Sequence, residues 1–115
     1  MSVRVELEKL LEVASGFGTV PMLLTVDVDG RPRASAVSVE FAGTRARVRA
    51  GRRSVANAAE RALVSLLWPA PPGERFALLV DGTAAAVEPD ADPRAGGWVT
   101  VEVSSGILHM VSGAH

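Results

Sequence analysis

The sequence predicts a mainly β protein with two short helices, folded as a six-stranded antiparallel β-barrel that is closed or nearly closed. Six segments have the alternation or the apolar composition of strands. Several of their connections have hairpin length, with turn signals at Asp29-Gly30 and Ala42-Gly43. An open sheet of six short strands would leave two unprotected edges, and closure removes them.

Composition places the whole chain, residues 1–115, in a single domain. Hydrophobic residues make up 48% and charged residues 22%, which excludes a disordered chain. The chain has no cysteine, which excludes disulfides and thiolate chemistry, and with only two histidines we predict no metal site. It also has neither an apolar run of about 18 residues nor a signal-peptide pattern, so we expect a cytoplasmic protein.

The first part of the chain predicts one helix and two strands. Residues 3–15 are predicted to form an amphipathic helix at one end of the sheet, with an apolar stripe of Val3, Leu7, Leu10, Leu11 and Ala14. Residues 19–28 form the first strand of the series, and residues 31–41 form the return strand after the Asp29-Gly30 turn.

The return strand has two different faces. One face carries Arg33, Ser35, Val37 and Val39, and the other carries only small residues, Ala34, Ala36 and Ser38. The small face permits the close approach of a flat ligand or of a second backbone. Tight packing of this face against the N-terminal helix is an equally good interpretation, and both stay open.

Residues 45–69 form the stretch around which the chain is organised. Residues 45–50 alternate arginine with small apolar residues, as in a strand, and Gly51 ends that strand. Ser54 is predicted to be the N-cap of a short helix over residues 55–61. Residues 63–68 are short and apolar, so we predict a buried strand that ends at Pro69.

The C-terminal part predicts two more strands. Residues 76–88 read as a long strand bent at Gly82, where the absent side chain permits a bulge. Residues 98–103 alternate as a strand, and residues 107–111 continue it after a break at Gly106. Residues 69–73 are predicted to form a rigid loop with no regular structure, and residues 89–97 a polar, flexible one.

The charge of the chain is divided unevenly. Residues 31–61 hold eight arginines against Glu40 and Glu60, a local balance of +6 in a chain whose formal charge is −1. The basic part therefore predicts an anionic ligand. Arg52 and Arg53 precede a helix start, where free backbone N–H groups and the helix dipole also favour a phosphate. Nucleic acid is disfavoured because interleaved aromatic residues are missing.

Three stretches together resemble the pyridoxamine 5'-phosphate oxidase-like family of flavin-binding split barrels over residues 15–88. They are DGRPRASAVSVEF, RVRAGRRSVANAAERALVSLLWP and FALLVDGTAAAV. The resemblance implies the FMN-binding type of six-stranded split barrel and a homodimer that holds FMN in a groove between its subunits. It implies an oxidoreductase acting on a small substrate. The predicted cofactor-binding residues are Arg33, Arg49, Arg52, Arg53 and Ser54.

Several alternatives stay open beside this prediction. The cofactor can be a deazaflavin, or the barrel can be a binding or structural dimer without cofactor. Oxidation of pyridoxamine phosphate is not expected, because the larger oxidases that the chain resembles close their substrate with a C-terminal segment containing Trp, Arg and His, and here no arginine follows Arg94. Trp68 is interpreted as a core or interface residue in preference to a flavin contact, and His109 as a strand residue in preference to a proton donor. Arg45 is interpreted as part of a cationic edge in preference to a ligand groove, and for Arg47 and Arg49 both interpretations stay open.

Overall fold

The computed structural model describes residues 2–113, which form one curled antiparallel sheet of eight strands with two helices. The strands are β1 (Ser2–Val5), β2 (Met22–Val26), β3 (Pro32–Ala36), β4 (Ser38–Ala42), β5 (Arg45–Ala50), β6 (Leu63–Trp68), β7 (Phe76–Pro89) and β8 (Gly97–Met110). The helices are α1 (Leu10–Ser15) and α2 (Arg52–Glu60). Short 3-10 turns occur at Leu7–Lys9 and Pro93–Ala95.

The order of the strands makes the sheet a split barrel. It runs β3-β2-β6-β7-β8-β5-β4, and β1 also pairs with β8. The two end strands, β3 and β4, are consecutive in the chain and are separated only by Val37. Residues 32–42 therefore pair with β2 through their first half and with β5 through their second half, which curls the sheet back on itself. The predicted fold class is confirmed.

The predicted return strand over residues 31–41 is divided in two by this change of partner. The backbone N–H of Val37 donates to the carbonyl of Pro21 at 3.0 Å, and that of Val39 donates to Thr19 at 3.1 Å. This division adds one strand to the predicted six, and β1 adds the other. The small face of the segment is exposed at Ala34, Ala36 and Ser38, so the interpretation as tight packing against the N-terminal helix is wrong.

The predicted helix over residues 3–15 is only half correct. Ser2–Val5 is a strand that pairs with β8, and the α-helix begins at Leu10. Of the five residues in the predicted apolar stripe, only Leu10 and Ala14 are buried. The strand is favoured because Val5 lies opposite Gly106 and is buried there, an interaction between distant residues that helical periodicity does not reveal.

Gly82 in β7 and Gly106 in β8 have different effects on their strands. The register between β7 and β8 shifts at Asp81/Gly82, which confirms the predicted bend. Strand β8 is continuous through Gly106, so the predicted break there is wrong. A Cβ atom at Gly106 would lie 2.8 Å from Cδ1 of Leu10, and the missing side chain therefore lets α1 pack against the strand.

The barrel interior is filled by alternate residues of its strands. The fully buried side chains include Leu23, Leu66, Leu78, Val48, Val80 and Trp68. Strand β6 is buried on one face only, since Leu63 is 79% exposed, so the prediction of a wholly buried strand is wrong for that residue. No helix within residues 2–113 has the length and apolar character needed to cross a membrane.

Candidate functional site

Helix α2 begins three residues earlier than the sequence predicts. Gly51, in an extended conformation, is the N-cap, and the first helical bond joins the Val55 N–H to the Gly51 carbonyl at 3.0 Å. Ser54 is therefore not the N-cap. Its side chain is buried inside the first turn, where its hydroxyl donates to Oγ of Ser35 on β3 at 3.2 Å. Arg52 and Arg53 are the first two helical residues and not a preceding turn.

Strand β3 brings a second group of polar side chains to the same place. The β2–β3 register sets Arg33 opposite Thr25 and Ser35 opposite Leu23. Thr25 and Leu23 are buried, so Arg33 and Ser35 share the inward face of the sheet, toward α2. Three of the predicted ligands, Arg33, Arg53 and Ser54, therefore come together between β3 and the start of α2. The cluster of Arg33, Ser35, Arg52, Arg53 and Ser54 is called the arginine–serine site below.

A buried carboxylate, Asp27, connects this site to the end of β2. It accepts hydrogen bonds from Nε of Arg33 and, at 2.8 Å, from Nδ2 of Asn57, and Nη1 of Arg53 lies 3.8 Å away. The hydrogen bond from Arg33, with that from Asn57 next in size, lowers the pKa of Asp27 below its usual value. The Asp27 carboxylate in turn raises the pKa of Arg33.

Asn57 and Arg61 extend the same network along α2. The Asn57 amide also donates to Oγ1 of Thr25 at 3.1 Å, and Nη2 of Arg61 donates to Oδ1 of Asn57 at 3.3 Å. Nε of Arg61 donates to the carbonyl of Val26 at 2.7 Å. Arg53 and Asn57 are four residues apart on one face of α2, and Arg61 is the C-cap residue of the helix. Together their side chains fix α2 to the end of β2.

Arg52 differs from the other two arginines of the site. It is exposed on the first turn of α2 and makes no ion pair with any carboxylate of residues 2–113. Its guanidinium therefore adds a positive charge that the protein does not offset locally.

The structure places Arg49 apart from the arginine–serine site. Arg49 lies on the outer face of β5, where Nη1 donates to Oδ1 of Asp90 at 2.8 Å and Nη2 bonds the second carboxylate oxygen. This pairing raises the pKa of Arg49 and lowers that of Asp90. The guanidinium carbon of Arg47 lies over the Trp98 ring, 3.9 Å from its centroid, and that of Arg49 lies 5.5 Å from the same centroid. Both arginines thus fix the end of the β7–β8 hairpin.

Trp68 and His109 also lie outside the arginine–serine site. Trp68 is 1% exposed, its ring stacks on Phe41 with centroids 6.0 Å apart, and its Nε1–H donates to the Gly18 carbonyl at 2.9 Å. It is a core residue. His109 is exposed on β8, with Nδ1 3.0 Å from the Ser2 hydroxyl. No group of three metal-ligating side chains occurs among the residues described by the structure.

Sequence reasoning missed three members of this region, namely Asp27, Ser35 and Asn57. The alternation of β3 carried a signal for Ser35, because it shares a face with Arg33. Asn57 is one helical turn from Arg53, which is a signal only once the correct helix start is known. Asp27 had no signal in the sequence, since its role depends on how the β2–β3 hairpin packs against α2.

The arginine–serine site has the donors that a phosphate group requires. It offers three guanidinium groups, the Ser35 hydroxyl, which accepts from Ser54 and keeps its own proton for a ligand, and the backbone N–H groups at the start of a helix. A Cβ atom placed on Gly51 would meet no atom within 4 Å, so the space beside the helix start is open. Among residues 2–113, Asp27 is the only carboxylate within ion-pair distance of these arginines, and it reaches Arg33 and Arg53, so the three arginines exceed their paired carboxylate by two charges. These residues therefore fit a phosphate-bearing cofactor.

No family model and no curated protein sequence matches this chain. Solved structures do match it. A putative pyridoxamine 5'-phosphate oxidase from Listeria innocua has 16% sequence identity and a TM-score of 0.62, covering 90% of this chain and 98% of its own. HutZ, described as the heme storage protein from Vibrio cholerae, has 17% identity and a TM-score of 0.63, covering 92% and 96%.

A third solved structure is described as an F420 reductase. It has 19% identity and a TM-score of 0.61, and the match covers 76% of this chain and 88% of that one. Structural similarity at sequence identities this low establishes the fold alone, so the activity has to be argued from the site. The chain therefore has the split-barrel fold shared by the pyridoxamine 5'-phosphate oxidase-like proteins.

Proposed function

We propose that the protein binds FMN and acts as a flavin-dependent oxidoreductase on a small substrate. The observation that carries this proposal is the arginine–serine site, where Arg33 and Arg53 both reach Asp27, Ser54 bonds to Ser35, and the exposed Arg52 lies on the first turn of α2. In this proposal these side chains hold the phosphate of the cofactor. Bound FMN supplies the redox chemistry, and the protein supplies its binding and orientation.

The charges of the site support a phosphate in preference to a carboxylate. Guanidinium groups bind phosphate oxygens through fixed pairs of N–H donors, and a phosphate monoester carries nearly two negative charges at neutral pH. The local excess of two positive charges matches that ligand. Nε of Arg33 is engaged by Asp27, and its two terminal nitrogens make no hydrogen bond to a residue of the 2–113 range. They are therefore available to a ligand.

A deazaflavin is the second candidate for the same site. The solved structure described as an F420 reductase has this fold. The arginine–serine site does not discriminate between the two ring systems, because it would contact only the phosphate. A third candidate, a split-barrel dimer without cofactor, is favoured by Asp27, which already engages Arg33 and approaches Arg53.

Titration of the purified protein with flavins tests the proposal. We expect FMN to bind at micromolar concentration, with quenching of its fluorescence and a shifted visible spectrum. Riboflavin, which has the same ring and no phosphate, should bind more weakly. Tighter binding of the deazaflavin in a parallel titration would favour the second candidate. Absence of binding by all three ligands would contradict the proposal and favour the dimer without cofactor.

We also propose that the protein is a homodimer with the cofactor groove at the interface between its subunits. The outer face of the barrel supports this with a row of apolar side chains across four adjacent strands, namely Met22, Leu67, Leu79 and Ile107. All four are only half-buried in the single chain. Leu63, which is 79% exposed, adds to the same outer face. A contiguous exposed apolar surface is typical of an interface with another protein.

Replacing Leu67 with lysine should therefore convert the dimer to a monomer. A charge in the middle of an apolar interface is desolvated without a partner, whereas in the single chain the same side chain reaches water. Sedimentation equilibrium at low micromolar concentration measures the mass of both proteins. The matched control is Ala42→Lys, at an exposed position at the end of β4. A wild-type mass of one protomer, near 12.0 kDa, would contradict the proposal.

A further inference from the structure

Asp27 is an acidic residue in the middle of a cationic site. Its side chain is 11% exposed, and its nearest charged groups are the guanidiniums of Arg33 and Arg53. An anion that binds these two arginines must approach a carboxylate that they already share. Asp27 therefore takes part in every interaction that the arginine–serine site makes with a charged ligand.

Hydrogen bonds hold both the backbone and the side chain of Asp27 in one position. The backbone N–H of Asp27 donates to the Arg31 carbonyl at 2.8 Å, and the backbone carbonyl of Asp27 accepts from the Gly30 N–H at 2.9 Å. The side chain is anchored by Asn57, which is itself anchored to Thr25. A hairpin turn on one side and a buried amide on the other thus fix its position when an anion binds.

The contact between Asp27 and Arg33 also decides which donors remain for a ligand. Asp27 engages Arg33 through Nε, which leaves the terminal nitrogens for an incoming group. Arg53 is 67% exposed and reaches Asp27 only at 3.8 Å, so most of its donors are also directed elsewhere. The carboxylate orients Arg33 without using up the donors of either arginine.

We propose that Asp27 is a built-in counter-ion that sets the charge selectivity of the arginine–serine site. It keeps Arg33 in place, and it offsets one of the three positive charges of the site. It therefore moderates the affinity for a doubly charged phosphate. This inference rests on the proposed function, because it concerns the same arginines that would hold the cofactor phosphate.

The direction of the effect follows from Coulomb's law. Repulsion between Asp27 and a bound anion grows with the charge of the anion, so it is twice as large for a dianion as for a monoanion. A neutral ligand feels none of it. Removal of the Asp27 charge should therefore strengthen the binding of dianions and leave the binding of neutral ligands unchanged.

The test compares wild type with Asp27→Asn at low ionic strength, where charge effects are least screened. Dissociation constants are measured for FMN, riboflavin and inorganic sulfate. We expect the Asp27→Asn variant to bind FMN about tenfold more tightly, because a charge interaction near a protein surface has this size. The dissociation constant for sulfate should fall as well. Riboflavin should change by less than about twofold. In 1 M salt the gain for FMN should largely disappear.

The matched control is Asp29→Asn. Asp29 is two residues away on the same hairpin, and it is exposed and paired with Arg31 at 3.4 Å. Its replacement removes the same charge without removing a hydrogen bond or ion pair of Arg33 or Arg53, since Asp29 acts on Arg33 only through the longer-range field of its charge. We expect a much smaller gain for FMN than in the Asp27 variant. Equal gains from the two variants would show that net charge alone matters, which overturns the proposed role of Asp27.

The design separates failure of this inference from failure of the proposed function. If neither protein binds FMN but Asp27→Asn binds sulfate more tightly, the inference stands and the flavin proposal fails. If FMN binds the wild type and Asp27→Asn binds it equally or more weakly, Asp27 is a support for the arginines and the inference is overturned. Asp27→Ser, which also lacks the charge, is the second variant. If circular dichroism shows that neither variant folds, Asp27 serves the fold and the inference is likewise overturned.

Discussion

Replacing Trp68 with alanine is expected to lower the free energy of unfolding by about 3–5 kcal/mol, as for other large aromatic residues truncated in a core. The indole is 1% exposed, stacks on Phe41, and donates to the Gly18 carbonyl, so its loss leaves both a cavity and an unpaired carbonyl. Small domains have total stabilities of about 5–15 kcal/mol. Chemical unfolding followed by circular dichroism should show the change.

The second tryptophan of the chain provides the control for this prediction. Trp98 is only half-buried, on the outer face of β8 beneath Arg47. Its replacement with alanine should cost less than about 2 kcal/mol, because part of the ring already contacts water. If the two substitutions destabilised the protein equally, the assignment of Trp68 to the barrel interior would be contradicted.

Replacing Arg53 with alanine is expected to weaken FMN binding by about 1.5–3 kcal/mol, the range for a hydrogen bond to a charged group. The side chain is 67% exposed, so the free energy of unfolding should change by less than about 0.5 kcal/mol, as for most surface substitutions. Fluorescence titration gives the affinity, and thermal unfolding verifies the fold. Binding of riboflavin should change far less, because it has no phosphate for Arg53 to contact.

Arg45→Ala is the matched control for Arg53. Arg45 is an exposed arginine on β5 that pairs with Glu102 at 2.8 Å, on the outer face of the barrel. Its loss removes the same charge from the chain at a position away from the arginine–serine site, so FMN affinity should stay within about twofold. Equal losses of FMN and riboflavin in Arg53→Ala would place Arg53 at the ring system, and the phosphate would then lie elsewhere.

Several strands and turns of the fold could be predicted because their sequence signals are local. The Asp29-Gly30 turn, the arginine alternation of β5 and the apolar run of β6 each act within a few residues, and all three appear in the structure. Gly30 has a φ of 86°, as the turn signal requires. The bend at Gly82 was also predictable, because a glycine inside a strand pattern is typical of a bulge.

The errors occur where distant parts of the chain decide the outcome. Residues 3–5 fall in the predicted helix, yet residues 2–5 form a strand that pairs with β8 beside Gly106. Residues 31–41 fit one strand, yet curling of the sheet divides them at Val37. The start of α2 was misplaced because Ser54 is a good capping residue by type, whereas its hydroxyl donates to Ser35 on another strand.

The clustering of arginines between the return strand and the second helix could be read from the sequence, where they exceed the carboxylates. Which of these arginines lie together depends on the tertiary structure. It joined Arg33, Arg53 and Ser54, and it placed Arg49 with Asp90 on the outer face. It also inserted Asp27 among the arginines. The excess of positive charge can be counted along the sequence. The partner of each charge depends on how β2, β3 and α2 pack together, and residues far apart in the sequence determine that packing.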